Sequence, residues 1–191
     1  MAMGHRNSAR IEMHSIKVNI LAAVQLIEAC RECVHILPQV GTNIAMARSN
    51  ATDLNDIAAL TGRIIRVEDR AVGVGKPKFG ATRYLGTVLL TAIALNPRYQ
   101  AVINIKFSPR IISTCEELGM EATTYTWDVK PQEAIDFGCA IPSIIHQLDQ
   151  VPEVIYDRGD VGIEASVTVF GSDALDVAQK TVHIAQRLLS K

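Results

Sequence analysis

The chain has 191 residues, of which 48% are hydrophobic and 20% are charged, with a formal net charge of −1. This length can bury one substantial core, so a single domain is expected. The near-neutral charge argues against a nucleic-acid surface, because phosphate contacts require a basic face. The apolar content and the balanced charge also exclude a disordered chain.

Neither a membrane protein nor a secreted protein is indicated. The apolar run Ile20–Val24 is too short to span a bilayer, and Glu28 and Arg31 follow it without a cleavage site. Cys30 and Cys33 form a C-x-x-C inside a stretch with helical periodicity, which favours buried structural thiols over a redox or zinc pair. A cytoplasmic protein is therefore expected.

The first half of the chain alternates between helical and strand patterns. Residues 1–14 lack periodicity and are predicted to be a mobile N-terminal tail. Ile20, Val24 and Ile27 recur at helical spacing and predict a long first helix. The elements predicted up to Leu95 are a helix over 15–36, a strand over 40–47, a short helix capped at 52 or 53 and running to 60, a strand over 63–67, a glycine-rich loop over 72–80, and a helix capped by Thr82 that runs to 95.

The second half contains the clearest strand, Ala101–Phe107. Ser108 and Pro109 form a typical helix start, and Gly119 a typical helix end. The remaining predicted elements are a strand over 121–127, a helix near 141–148, strands over 151–156 and 165–170, and a final helix capped by Ser172. Alternating elements with short connections predict an α/β domain over residues 15–191, built as a three-layer α/β/α sandwich with a mixed sheet. In such sheets ligands usually bind at the carboxyl ends of strands.

The acidic loop Asp157–Gly162 directly follows a predicted buried strand. Asp157 and Asp160 could hold Mg²⁺ through oxygen ligands, and Arg158 could bind a phosphate bidentately. Its glycines would let the backbone approach a ligand closely. A surface hairpin with Asp and Gly as turn residues explains the same residues equally well.

Two weaker signals come from lysines in or near predicted strands. The loop Gly75–Thr82 brings Lys76 and Lys78 to a helix start, which suits a phosphate, although a solvated turn is the plain alternative. Lys106 lies in an otherwise apolar strand, where it either serves a site or extends to solvent. Arg63, at the mouth of another strand, has the same two interpretations.

Taken together, these motifs resemble the ThiN family of thiamine-phosphate synthases, known chiefly from archaea. In that family the domain is often fused to a pyrimidine kinase, or to a DNA-binding helix-turn-helix for which it senses a thiamine phosphate. The matching stretches follow the family order from about Ser15 to Lys191. They are Val40-Gly-Thr-Asn-Ile44, Leu54-Asn-Asp-Ile-Ala58, Gly62-Arg-Ile64, Lys78-Phe-Gly-Ala-Thr82, Ile103-Asn-Ile-Lys-Phe-Ser108 and Val151-Pro-Glu-Val-Ile-Tyr-Asp-Arg-Gly-Asp-Val-Gly162.

The resemblance implies a small phosphorylated thiamine-pathway ligand and, for a synthase, the joining of hydroxymethylpyrimidine diphosphate to thiazole phosphate with release of pyrophosphate. Mg²⁺ and cationic side chains would stabilise the leaving group. The catalytic positions so implied are Arg63, Tyr84 and Lys106. Ligand or phosphate binding is expected at Asn43, Lys78, Gly80, Thr82, Asn104, Arg158 and Gly159, and metal binding at Asp157 and Asp160.

Three departures from the family pattern bear on catalysis. Tyr84 stands where synthases carry a His, Phe137–Ile141 replaces an acidic, glycine-rich stretch, and Ile163 replaces a common Lys. A phenol exchanges protons near neutral pH less readily than an imidazole does. Two hypotheses stay open, a non-catalytic sensor and an active synthase. An unrelated α/β phosphotransferase is a third, without a nucleotide motif to support it. The buried-helix stretch and the low charge leave room for a homodimer. The resemblance leaves room for a fused kinase or helix-turn-helix domain outside this chain.

Overall fold

A seven-stranded mixed sheet forms the centre of the fold, in the order β5-β2-β1-β6-β9-β8-β7. The computed structural model describes residues 2–124 and 140–190. The strands are β1 (Ile44–Ala47), β2 (Ile57–Leu60), β3 (Ile64–Val67), β4 (Arg70–Gly73), β5 (Pro77–Phe79), β6 (Ala101–Lys106), β7 (Ala122–Thr124), β8 (Val154–Asp157) and β9 (Ser166–Gly171). Strands β3 and β4 form a separate antiparallel hairpin.

Helices cover both faces of the sheet, which confirms the predicted three-layer α/β/α architecture. The helices are α1 (Ala2–Ala29), α2 (Tyr84–Leu95), α3 (Pro109–Glu117), α4 (Ala140–Ile145) and α5 (Ala174–Leu189), with 3₁₀ helices at Arg31–Ile36 and Leu54–Asp56. Buried side chains of α1, α3 and α5 pack on one face with Ile103 and Val169, whereas those of α2 and α4 pack on the other with Val102 and Phe170. Successive strand residues therefore alternate between two cores, as the two-residue period requires.

Four strands end at the same edge of the sheet. Among the described strands, β7 and β8 are the only neighbours that pair in parallel, and the others are antiparallel. Because β2 and β6 both oppose β1, and β6 and β8 both oppose β9, the strands β2, β6, β7 and β8 run in the same direction. The residues after Leu60, Lys106 and Asp157 thus leave the sheet at one edge, which we call the ligand edge.

The first helix is longer than the sequence predicts. It begins at Ala2, not at about Ser15, so the segment predicted as a tail is helical, while its mobility stays a prediction. Glu12 accepts hydrogen bonds from the Ser49 amide (2.7 Å) and from Arg48 Nε (3.4 Å), which ties this segment to the turn after β1. Such tertiary contacts cannot be seen in the local apolar period.

Two local predictions in the first half are wrong. The stretch predicted as a helix to Leu60 is a single 3₁₀ turn followed by β2, whose four residues are all buried between neighbouring strands. The glycine-rich stretch predicted as a loop contains half of β4 and all of β5. A short apolar run does not distinguish a strand from a helix, because pairing partners far along the chain decide between them.

The helix starts are predicted with mixed success. Ser108 caps α3 as expected: its Oγ accepts from the Ile111 amide at 3.1 Å, and Pro109 is the first helical residue. The predicted caps Ser172 and Thr82 are wrong, since Asp173 caps α5 and α2 begins at Tyr84 after Arg83. Of the strand predicted over 121–127, β7 covers 122–124, and Tyr125–Trp127 lie outside the described residues.

None of the helices in the described ranges 2–124 and 140–190 has the length and apolar character needed to cross a bilayer.

Replacing Ser108 with Ala should lower the free energy of unfolding by about 1 kcal/mol, because the α3 amide loses its side-chain acceptor. Urea denaturation followed by circular dichroism measures this change. Ser113→Ala, within the same helix, is the matched control and should change stability by less than about 0.5 kcal/mol. Equal losses for the two variants would contradict a capping role for Ser108.

Candidate functional site at the ligand edge

Three polar side chains from adjacent strands form a row at the ligand edge. Lys106 pairs with Ser166, and Ser166 pairs with Asp157. Val102 and Phe170, four residues further into their strands, and Ile155, two residues further into β8, belong to the core beneath α2 and α4. Lys106, Ser166 and Asp157, which we call the polar row, therefore face the α2 side. Two strand spacings place the Lys106 and Asp157 Cα atoms about 10 Å apart.

A second set of polar residues lies one step below the polar row on the same face. Asn104 pairs with Thr168, and its amide donates to the Asn43 carbonyl at 3.3 Å. The Asn104 side chain accepts from the Asn43 amide at 2.7 Å, and the Asn43 side chain accepts from the Ile44 amide at 2.8 Å. Both predicted ligand-binding asparagines thus hold the entry to β1 in place. Thr168 is fully buried, and its Oγ1 has no hydrogen-bond partner.

Asp157 joins the acidic loop to the sheet. Its two carboxylate oxygens accept from the Gly159 amide (2.8 Å) and from Ser166 Oγ (2.9 Å). Burial raises the pKa of Asp157, while these two hydrogen bonds act in the opposite direction. Gly159 has φ +73°, and a Cβ there would lie 2.6 Å from the Ile163 carbonyl oxygen, so only glycine fits.

The second half of the acidic loop is a surface hairpin, which is the alternative that the sequence left open. The Asp160 and Ile163 backbones exchange two hydrogen bonds, and Val161 at the tip is 96% exposed. The Asp160 carboxylate accepts from the Val161 amide at 2.7 Å. Asp157 and Asp160 therefore belong to two different parts of the loop.

The residues present fit a magnesium ion only if the ligand supplies most of its oxygens. Within 2–124 and 140–190 no three His, Cys, Asp or Glu side chains form a group able to hold a metal. Mg²⁺ usually takes one or two carboxylates together with substrate phosphates. Asp157 could supply one oxygen to such an ion, and metal binding by Asp157 and Asp160 stays a prediction.

Tyr84 lies in the first turn of α2, close enough to Asp157 to sense its charge. Burial, and then the Asp157 carboxylate, raise the pKa of Tyr84 well above that of a free phenol. The phenol is accordingly uncharged at neutral pH. It can donate a hydrogen bond but cannot exchange a proton there as an imidazole would.

The two predicted arginines reach the same edge but do not join the polar row. Arg63, three residues beyond β2, is exposed, and its Nη1 donates to the Val40 carbonyl at 2.7 Å. Arg158 follows Asp157 directly and is exposed. Arg63, Lys106 and Arg158 thus lie at the same edge of the sheet, and of the three only Lys106 is placed on the α2 face by the strand register. Their convergence on one anion pocket stays a prediction.

The remaining predicted ligands lie further away. Lys78 pairs with Ala59 and shares the α2 face, but β5 is three strands from β6, about 14 Å away. The Gly80 amide donates to the Ile57 carbonyl at 2.9 Å, at the opposite edge of the sheet, where Thr82 follows. Phosphate binding by these three residues stays a prediction, without support from their positions.

Sequence reasoning missed Ser166, Thr168 and Glu164. The first two lie in a stretch that was correctly predicted as a strand, and their alternation with Val167 was the available signal. Glu164 accepts from the Gln39 amide (2.6 Å) and the Val40 amide (3.1 Å), more than 120 residues away in sequence. No local pattern indicates such a contact. Of the departures from the family pattern, Phe137, Gly138 and Cys139 lie outside the described residues.

Cys30, Cys33 and Cys115 are buried and free, and this burial agrees with the prediction made for Cys30 and Cys33. Burial raises the pKa of the Cys30 thiol, and it raises that of Cys115 to about 12. Both thiolates are thereby disfavoured, and with them redox or metal chemistry. Cys139 lies outside the described residues.

The fold and the polar row together define a three-layer α/β domain with a candidate site at the ligand edge. Comparison with known proteins gives the family. A sequence profile described as thiamine-phosphate synthase ThiN matches residues 19–183. The thiamine-phosphate synthase ThiN of Methanothermobacter thermautotrophicus is 30% identical over 177 residues, covering 90% of this chain and 93% of that protein. The chain belongs to the ThiN family, which confirms the resemblance.

Three further comparisons agree with this family. The bifunctional thiamine biosynthesis protein ThiDN of Methanocaldococcus jannaschii is 29% identical over 185 residues, and the chain spans 43% of its length. The crystal structure of the C-terminal domain of protein MJ0236 superposes with a TM-score of 0.82 at 29% identity, covering 93% of this chain and 96% of that one. The C-terminal domain of a phosphomethylpyrimidine kinase gives 0.79 at 29% identity, covering 88% and 97%.

Replacing Ser166 with Ala should raise the pKa of Asp157 further, because the carboxylate loses one of its two donors. Carboxyl ¹³C NMR titration measures this directly. The folded pKa lies above the unfolded value of 3.8, so the folded state binds more protons between the two values. Stability therefore falls as pH rises through that window, and Ser166→Ala should extend the fall to higher pH.

Ser172→Ala is the matched control for this titration, because its hydroxyl donates to Asp176 instead. It should leave the Asp157 titration unchanged. An unaltered Asp157 pKa in Ser166→Ala would show that this hydrogen bond does not tune the carboxylate.

Proposed function

We propose that this ThiN domain binds thiamine phosphate, or its phosphorylated pyrimidine and thiazole precursors, at the polar row, and that it acts as a non-catalytic sensor. One observation supports the binding site above all. Lys106 and Asp157 carry opposite charges on the same face, two strands apart, and neither forms an ion pair with any residue of the described chain.

Unpaired charges at such a place favour a ligand that carries both signs. Asp157 is 3% exposed, so its charge acts through a medium of low effective dielectric constant. Lys106 is half-buried, with an ammonium group suited to a phosphate. Thiamine phosphate has an anionic phosphate and a cationic thiazolium ring separated by a short chain. Bound along the polar row, it would place the phosphate at Lys106 and the ring towards Asp157.

The phenol of Tyr84 supports the sensor over the enzyme. With its pKa raised by burial, Tyr84 does not gain or lose a proton near neutral pH. At the position where the family resemblance implies a histidine in synthases, this chain therefore offers a hydrogen-bond donor that does not titrate. Ligand binding requires no such titration, whereas a proton-transferring role would.

An active synthase is the second candidate, favoured by the relative named thiamine-phosphate synthase and by Arg63 and Lys106. In that reaction the thiazole nitrogen attacks the methylene carbon of the pyrimidine diphosphate. The new C–N bond forms as the C–O bond breaks, and pyrophosphate leaves with the electron pair. Positioning of the two substrates would supply much of the rate. Mg²⁺, when bound, would neutralise charge on the leaving pyrophosphate.

Lys106→Ala should weaken thiamine phosphate binding by about tenfold to a hundredfold, the range expected for a charge-assisted hydrogen bond. Isothermal titration calorimetry measures the Kd. Lys17→Ala is the control, because Lys17 lies on α1, on the opposite face, over the Phe79 ring. Equal Kd values for the two variants would show that the polar row is not the anion site.

Mixing both phosphorylated precursors with Mg²⁺ distinguishes the sensor from the enzyme. We expect tight thiamine phosphate binding by the unaltered chain and no thiamine phosphate formation by chromatography. Tyr84→His should gain measurable turnover, since an imidazole titrates near pH 6.5, whereas Tyr84→Phe should not. Turnover by the unaltered chain that is lost in Arg63→Ala would establish the synthase and refute the sensor.

A further inference from the structure

We propose that Glu164 is a positioning residue, which fixes Arg63 at the ligand edge through Val40 and couples it to the acidic loop. This inference rests on the proposed function only for the role of Arg63 in ligand binding. The mechanical link itself is a property of the fold, and it can be measured without a ligand.

The first half of the link is a carboxylate that holds two consecutive amides. Glu164 lies between the acidic loop and β9. One oxygen accepts from the Gln39 amide at 2.6 Å and the other from the Val40 amide at 3.1 Å. Because its two oxygens bind neighbouring amides, the Glu164 carboxylate fixes both the orientation of residues 39–40 and their distance from Glu164. Charge-assisted bonds of this kind are stronger than bonds between neutral groups.

The second half of the link starts from the carbonyl group of Val40. The Val40 carbonyl accepts from Arg63 Nη1 at 2.7 Å. The chain then turns at Gly41, whose φ is +83° and whose built Cβ would lie 3.2 Å from the Arg63 Cβ. Thr42 next pairs with Ile64 through two backbone hydrogen bonds, of 2.9 and 2.7 Å. The Gln39–Thr42 segment is thereby clamped between the acidic loop and the end of β2.

This arrangement explains why Arg63 has a defined position although it is exposed. An exposed arginine ordinarily samples many rotamers, and ordering it costs conformational entropy. Here one guanidinium nitrogen is bound to a carbonyl that Glu164 holds in place. Within residues 2–124 and 140–190 this guanidinium makes no other hydrogen bond, so its remaining nitrogens can bind an anion. Glu164 is the only described residue that connects Asp157's loop to this segment by side-chain hydrogen bonds, so a shift of the loop is transmitted to Arg63.

Arginine modification by phenylglyoxal, followed by mass spectrometry, tests the link without a ligand. In Glu164→Ala, Arg63 should react about threefold faster, the change expected when an exposed charged contact is lost. Arg98, which is exposed between α2 and β6 at the opposite edge of the sheet, should react at an unchanged rate and serves as the internal reference. Glu116→Ala, an exposed glutamate of α3 on the opposite face, is the matched control. An unchanged Arg63 rate in Glu164→Ala overturns the proposal.

A double-mutant cycle then separates positioning from general stabilisation. Glu164→Ala should weaken thiamine phosphate binding about fivefold when Arg63 is present, and by less than about twofold in an Arg63→Ala background. Glu164→Gln keeps one acceptor oxygen and should be intermediate; it decides the question if Glu164→Ala does not fold. Equal losses in both backgrounds overturn the coupling. If the unaltered chain binds no thiamine phosphate, the proposed function fails, while the phenylglyoxal rates still decide the role of Glu164.

Discussion

The two-residue period of β-strands is the constraint on which the candidate site depends. Alternate residues of β6, β8 and β9 enter the core under α1, α3 and α5, and the intervening ones face α2 and α4. Where the strands end, this second set becomes polar, and register places Lys106, Ser166 and Asp157 in one line. A shift of register by one residue would turn all three to the other face.

The polar row does not contribute to stability as a core would. A buried carboxylate without an ion pair is disfavoured, as the raised pKa of Asp157 shows. The buried Thr168 hydroxyl without a hydrogen bond adds a further cost. Hydrogen bonds from neighbouring residues hold these groups in place. Gly159 and Ser166 donate to Asp157, and Asn104 binds the Asn43 amide at the entry to β1. Locally unfavourable groups that are held by a well-packed frame are typical of functional sites.

The acidic loop shows how one motif can serve two purposes. Its first residue, Asp157, is buried and faces the ligand edge, whereas Asp160 forms an exposed hairpin. The hairpin that its Asp and Gly residues predict is found in the second half of the motif, and the proposed site involves only the first half. Glu164, two residues beyond the loop, binds the Gln39 and Val40 amides through its carboxylate. The stretch that follows β8 therefore connects strand ends, whatever it binds.

The sequence alone determined the α/β class, the three-layer arrangement, the Ser108 cap and the family, because apolar periodicity, capping residues and ordered motifs are local properties. It also brought Lys106 and Asp157 forward as site residues, since charged groups beside apolar strands are visible in the sequence. Only the tertiary structure decided that Ile57–Leu60 is a strand, that Gly80 lies at the far edge, and that Ser166 and Glu164 belong to the ligand edge. The physical reason is that these outcomes depend on register and on contacts between residues far apart in the chain, which no local pattern encodes.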